Sequence, residues 1–211
     1  MARSFARGSP VQGDPVAALF ERRDAPLRDL AAHAGDVAAA CHAMAKRFHQ
    51  GGKLVVFGVG AASTDAQHVA VEFVHPVIVG KRALPAISLA SDVATVTGVA
   101  ASQGLAEIFA HQIRCLAGPA DIALGISADG DDPSVLHGLA AARSLGMLTV
   151  ALAGGDGGAI AASPTADHVL VARSADPCVV KETHVTMYHV LWELVHVFFE
   201  QPGVLTPEVV A

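Results

Sequence analysis

The stretch Lys53-Leu54-Val55-Val56-Phe57-Gly58-Val59-Gly60-Ala61-Ala62-Ser63-Thr64-Asp65 decides the fold. A short Val-rich apolar run stops at a glycine turn, and a helical pattern then continues to His75-Pro76. That is strand, tight turn, helix. The same alternation recurs downstream, with strands expected at 86–89, 121–126, 147–152 and 168–171. Helices are expected at 92–116 in one or two pieces, and at 133–145, 159–163 and 178–200. Upstream, residues from Val16 to about Gln50 read as two Ala-rich helices punctuated near Gly35-Asp36, with Asp36 as a cap for the second. Val55-Val56-Phe57 and Leu148-Thr149-Val150-Ala151-Leu152 are continuous rather than alternating, the pattern of parallel strands covered on both faces. The fold class is therefore α/β: a doubly wound parallel sheet of about five strands, with two N-terminal helices and a long C-terminal helix.

Composition narrows the class. The chain has 211 residues, 52% hydrophobic and 16% charged, with a mean hydropathy of +0.45. Disorder is excluded, and the length suits one domain, here 16–211, preceded by a loose tail over 1–15. No apolar run reaches the roughly 18 residues a spanning helix needs. The first fifteen residues lack the apolar segment of a secretory signal. With 14 Lys and Arg against 20 Asp and Glu, the net charge is -6, which does not suit a nucleic-acid surface. Cys41, Cys115 and Cys178 share no close spacing, so a reducing, cytoplasmic setting is expected. The apolar surplus implies helices, 185–199 above all, buried between subunits of a homo-oligomer.

Ligands of an open parallel sheet sit beyond the carboxyl ends of its strands. The turn holding Gly58, Gly60, Ser63 and Thr64 leads into a helix N-terminus, which favours an anion but equally fits tight packing. The loop Ser127-Ala128-Asp129-Gly130-Asp131-Asp132-Pro133 reads either as a helix cap or as a site for a cation or polar hydroxyls. His68 and Glu72, four residues apart, share a helix face and can hold one metal or act as an acid and base pair. On the last helix Glu182, His189, Glu193 and His196 fall within about 60° of arc on an otherwise apolar cylinder. Such a stripe is expected to face a polar cavity, a metal or another subunit.

As a set, the chain resembles the sugar isomerase (SIS) domain proteins, specifically the phosphoheptose isomerase group. The resemblance rests on Gly51-Gly52-Lys53 with its strand and turn, Asp65-Ala66-Gln67-His68 with Glu72, Leu84-Pro85-Ala86-Ile87, Asp121 with Gly125-Ile126-Ser127, Gly146-Met147, 154–158, and Glu182-Thr183-His184 with His189. It implies a tetramer that interconverts sedoheptulose 7-phosphate and an aldose phosphate through an enediol. It also implies Glu72 and His189 as catalytic residues, and His68, Glu72 and His189 around a divalent metal, zinc in the family. Substrate contacts would fall on Gly58, Gly60, Ser63, Thr64, Ser127, Asp129, Asp132 and Lys181. The departures lie on the substrate side. The family's Asn-Gly-Gly-Ser turn reads Val59-Gly60-Ala61-Ala62, and its hydroxyl-rich phosphate loop reads Ser127-Ala128-Asp129-Gly130-Asp131-Asp132. Its Asn-Asp pair falls on Ala101-Ser102, and a metal-binding Gln becomes Lys181, about 12 Å from His189 along the helix. An aldose–ketose isomerase is the first expectation. A non-catalytic tetrameric regulatory or scaffold protein with a protein partner, or a metal-binding accessory protein, are the alternatives.

Overall fold

The computed structural model describes residues 14–201 and 203–205, so most of the expected tail lies outside the described residues. Five parallel strands, β1 (Leu54–Phe57), β2 (Ala86–Ser88), β3 (Ile122–Ser127), β4 (Leu148–Gly154) and β5 (His168–Ala172), lie in the order β2-β1-β3-β4-β5. Register is set by pairs such as Leu54 with Ile122, Ile122 with Leu148 and Val150 with His168. Alternate residues of each strand feed two cores. Leu54, Val56, Leu124 and Val150 pack under α2 (Ala34–His49), α3 (Ala61–Val74) and α8 (Pro177–Glu200). Val55, Phe57, Ala123 and Ala151 pack under α4 (Val93–Gln103), α5 (Ile108–Leu116), α6 (Pro133–Ser144) and α7 (Gly158–Ala162). Both faces are covered, which is why the strands carry no polar alternation.

Asp-Pro steps start several helices. Asp14 caps α1 (Pro15–Ala32), Asp132 caps α6 and Asp176 caps α8, each followed by Pro at the first helical position. The caps place α1 and α8 one residue ahead of the expected starts. The break between α1 and α2 falls at His33, and Asp36 lies inside the first turn of α2 rather than at its cap. The 92–116 region resolves into α4, a 3-10 turn at Leu105–Glu107 and α5, parted at Gly104, whose φ of 94° is one a side chain resists. Strand order reverses between β1 and β3, so the crevice at the carboxyl ends lies between the turn after Phe57 and the loop after Ser127. Gly58 permits that closeness: a Cβ there would stand 2.7 Å from the Ile126 carbonyl. Among the described residues no helix is long and apolar enough to cross a membrane.

Candidate functional site

Helices α3 and α8 meet along a row of paired polar groups. At the first turn of α3, the Lys181 ammonium donates to the Asp65 carboxylate (2.7 Å), the Ala61 carbonyl (3.0 Å) and the Thr64 hydroxyl (3.3 Å). At the second turn the Tyr188 hydroxyl lies 2.7 Å from His68 Nδ1. At the third the Trp192 indole N–H donates to the Glu72 carbonyl (2.9 Å). From one contact to the next α8 advances by seven and then four residues and α3 by three and then four, whole turns that keep the pairs on one face of each helix.

The chemistry concentrates at the second and third turns. His68 Nε2 is 3.2 Å from Glu72 Oε1, and ligand atoms of His68, Glu72 and His189 all lie within 4.8 Å of one another. Glu72 is buried, His68 half-buried and His189 exposed. Two imidazoles and a carboxylate at this spacing could hold a divalent metal. The Tyr188 ring packs edge-on against both imidazoles, 5.2 Å from His68 and 4.9 Å from His189. Burial pushes the Tyr188 phenol up, and the charges of Asp65 and Glu72 push it further, so it stays protonated. A groove of about 210 Å³ lined by Glu72, Val77, Ile78, His189, Trp192 and Glu193 opens over the cluster. His184, one turn before Tyr188, is buried; burial pushes its imidazole down against the opposing pull of the Ala153 carbonyl.

The substrate-side residues gather elsewhere. Gly58, Gly60 and Ser63 line a cavity of about 340 Å³ whose other walls include Ala90, Val96, Leu105 and Phe109. The Ser63 and Thr64 hydroxyls donate to the Gly60 and Ala61 carbonyls. On the loop after β3, Asp132 accepts from the Ser134 and Val135 amides, Asp131 from the Ala159 amide, and Asp129 from the Ser127 hydroxyl and the Asp131 amide. The loop's carboxylates thus fasten the starts of α6 and α7. Asp129 keeps its second oxygen without a partner among the described residues.

The structure therefore brings His68, Glu72 and His189 together and sets Gly58, Gly60, Ser63, Thr64 and Lys181 one to two helical turns away, at the other end of α3. The stripe expected on α8 divides. Glu182 pairs with Arg23 of α1 at 2.5 Å, and His196 is buried between the Trp192 and Arg82 carbonyls. Only His189 and Glu193 face the groove. Sequence reasoning passed over Tyr188, Trp192 and the partner of Lys181, Asp65. Tyr188 and Trp192 are the chain's only residues of their kinds and flank His189, a signal masked because both read as apolar cover.

A model of the SIS domain matches residues 21–154. A phosphoheptose isomerase from Solidesulfovibrio magneticus is 39% identical over 83% of this chain and 85% of its own. One from Pelobacter propionicus is 38% identical over 84% and 90%. Among solved structures, a phosphoheptose isomerase from Francisella tularensis superposes with a TM-score of 0.80 at 30% identity, covering 86% of this chain and 96% of that one. Another from Neisseria gonorrhoeae gives 0.77 at 26% identity, covering 85% and 96%.

Proposed function

The chain belongs to the SIS domain family, and from that footing we propose that it is an aldose–ketose isomerase acting on a sugar phosphate or related carbohydrate derivative, of the sedoheptulose 7-phosphate type. The observation that carries the reading is the approach of His68, Glu72 and His189 within 4.8 Å of one another, with Glu72 and His189 lining a groove. Glu72 takes the proton from the carbon next to the carbonyl and returns it to the neighbouring carbon, and His189 carries the hydroxyl proton between the two oxygens. Glu72 Oε1 faces His68, and its second oxygen has no partner among the described residues, leaving it for the substrate proton. A divalent cation, zinc on this reading, would be held by His68, Glu72 and His189 and would polarise the carbonyl oxygen when bound.

Gly58 and Gly60 by their backbone, with Ser63, Thr64, Ser127, Asp129, Asp132 and Lys181, form the substrate side. The Ser63, Thr64 and Ser127 hydroxyl protons are already committed, so these groups and the free oxygen of Asp129 present acceptors. An acceptor-rich surface suits the hydroxyl donors of a carbohydrate. Single copies leave apolar surface on α1 uncovered, which supports a homodimer or homotetramer, and three free cysteines support a cytoplasmic setting. A non-catalytic role is not favoured, since the relatives that cover most of the chain are named isomerases.

The test is incubation of the zinc-loaded protein with sedoheptulose 7-phosphate in deuterium oxide. Aldose phosphate carrying solvent deuterium is expected, and Glu72→Gln is expected to lower the rate by about 10²–10⁴-fold while circular dichroism stays unchanged. An undiminished rate in that variant, or no product from the unaltered protein, overturns the assignment.

A further inference from the structure

We propose that Tyr188 is a positioning residue of the metal centre, its hydroxyl donating to His68 Nδ1 when no cation is bound and accepting from it when Nε2 holds one. The inference rests on the metal reading of the triad above and adds to it a residue outside the triad. Tyr188 is 1% exposed, its oxygen lies 2.7 Å from His68 Nδ1, and the opposite ring nitrogen lies 3.2 Å from Glu72 Oε1. A neutral imidazole has one N–H and one lone pair, so the two contacts are coupled. Glu72 as a carboxylate only accepts. In the neutral ring with no cation bound, His68 Nε2 therefore carries the proton and donates to Glu72, and Nδ1 accepts from the Tyr188 hydroxyl.

Binding a cation through Nε2 requires the opposite arrangement. The ring proton moves to Nδ1, and the hydroxyl turns about its C–O bond to accept it. One ring proton is present in both states, and the phenol keeps its own, so the exchange balances without gain or loss. A hydroxyl can serve both states because it both donates and accepts; a backbone carbonyl, the commoner partner, would fix Nδ1–H permanently. Edge-on packing of the same ring against His68 (76°) and His189 (62°) holds both imidazoles at their angles, and a phenylalanine would keep that packing while losing the hydroxyl.

The test compares the full chain with Tyr188→Phe. Zinc affinity is read by competition with a chromophoric chelator, and the His68 tautomer by nitrogen-15 NMR. The unaltered, zinc-free protein is expected to show a single Nε2–H tautomer, shifting to Nδ1–H on zinc addition. The variant is expected to bind zinc roughly 10–100-fold more weakly, while Glu72 still holds the zinc-free ring as Nε2–H. Tyr188 and Trp192 are the only tyrosine and tryptophan, and Trp192 bonds to Glu72, so zinc arrival should also perturb the near-ultraviolet spectrum. A variant with the original zinc affinity overturns the proposal, as does Nδ1–H in the zinc-free protein, a result needing no variant at all. Absence of zinc binding by the unaltered chain would instead remove the metal reading, with the zinc-free tautomer still deciding the role of the hydroxyl.

Discussion

Lys181 reaches three acceptors on the first turn of α3, and its ammonium has three protons to give them. Its partner Asp65 is 5% exposed. A buried carboxylate left alone is expensive, so Lys181→Met is expected to destabilise the fold by about 2 kcal/mol, less than a wholly buried pair because the lysine itself is partly wet. Removing the carboxylate as well, in Lys181→Met with Asp65→Leu, should return most of that loss, as urea unfolding of the single and double variants would read. No recovery in the double variant would mean that the lysine acts through packing. His68 and Glu72 were legible in the sequence because four-residue spacing on a helix is a geometric fact, whatever the helix packs against. Lys181 was not, since its role depends on Asp65, 116 positions away, and on a crossing of two helices that no local pattern encodes. Tyr188 was hidden for the same reason.

Element boundaries followed, to within a residue, where a side chain wrote them locally. Asp132-Pro133 announces α6: the aspartate caps the Ser134 and Val135 amides, and the proline sits where no amide is needed. Asp132→Ala is therefore expected to lower stability by about 1 kcal/mol in chemical denaturation, with hydrogen exchange accelerated first at the start of α6. Exchange that quickens uniformly would mean that the cap supports more than its own helix. The break before α2 was harder to place, because His33 turns the chain without a capping side chain and a well-formed alternative, Asp36, stands three residues on. The acidic loop kept both of its readings until the structure gave Asp131 and Asp132 to helix starts, while Asp129 retains an open oxygen. On α8, Met187, Tyr188, Leu191, Trp192 and Val195 are buried against the rest of the chain, while Val190, Leu194, Phe198 and Phe199 stay partly exposed.

Two carboxylates at the base of the sheet couple stability to acidity. Burial pushes Asp121 and Asp167 up, but Lys53 with two amides at Asp121, and Thr149 with Arg143 at Asp167, outweigh it and hold both below the ordinary carboxylate range. A depressed folded value means that their contribution is complete above the unfolded value of about 4 and is lost as pH falls through the folded ones. Asp121→Asn is accordingly expected to cost about 1–3 kcal/mol at pH 7 in urea unfolding, with the gap narrowing toward pH 3; a gap independent of pH would refute the linkage. The apolar surplus that α8 does not explain lies on α1, where Val16, Leu19, Phe20 and Leu27 fall within about 100° of arc and remain exposed, Phe20 by 69%. Within its own chain α1 buries only Pro26 and is tied down by ion pairs of Arg22 with Asp176, Arg23 with Glu182 and Asp29 with Arg173, rim contacts worth little. On the homo-oligomer reading proposed above, a second copy would offer this helix the same stripe in two-fold register. Phe20→Glu with Leu27→Glu should then shift the sedimenting species to the mass of one chain while zinc affinity persists, because His68, Glu72 and His189 come from a single copy. A variant that sediments unchanged would move the interface away from α1, to the exposed Val77, Ile78 and Val79 beside the groove, where dissociation and loss of turnover would coincide.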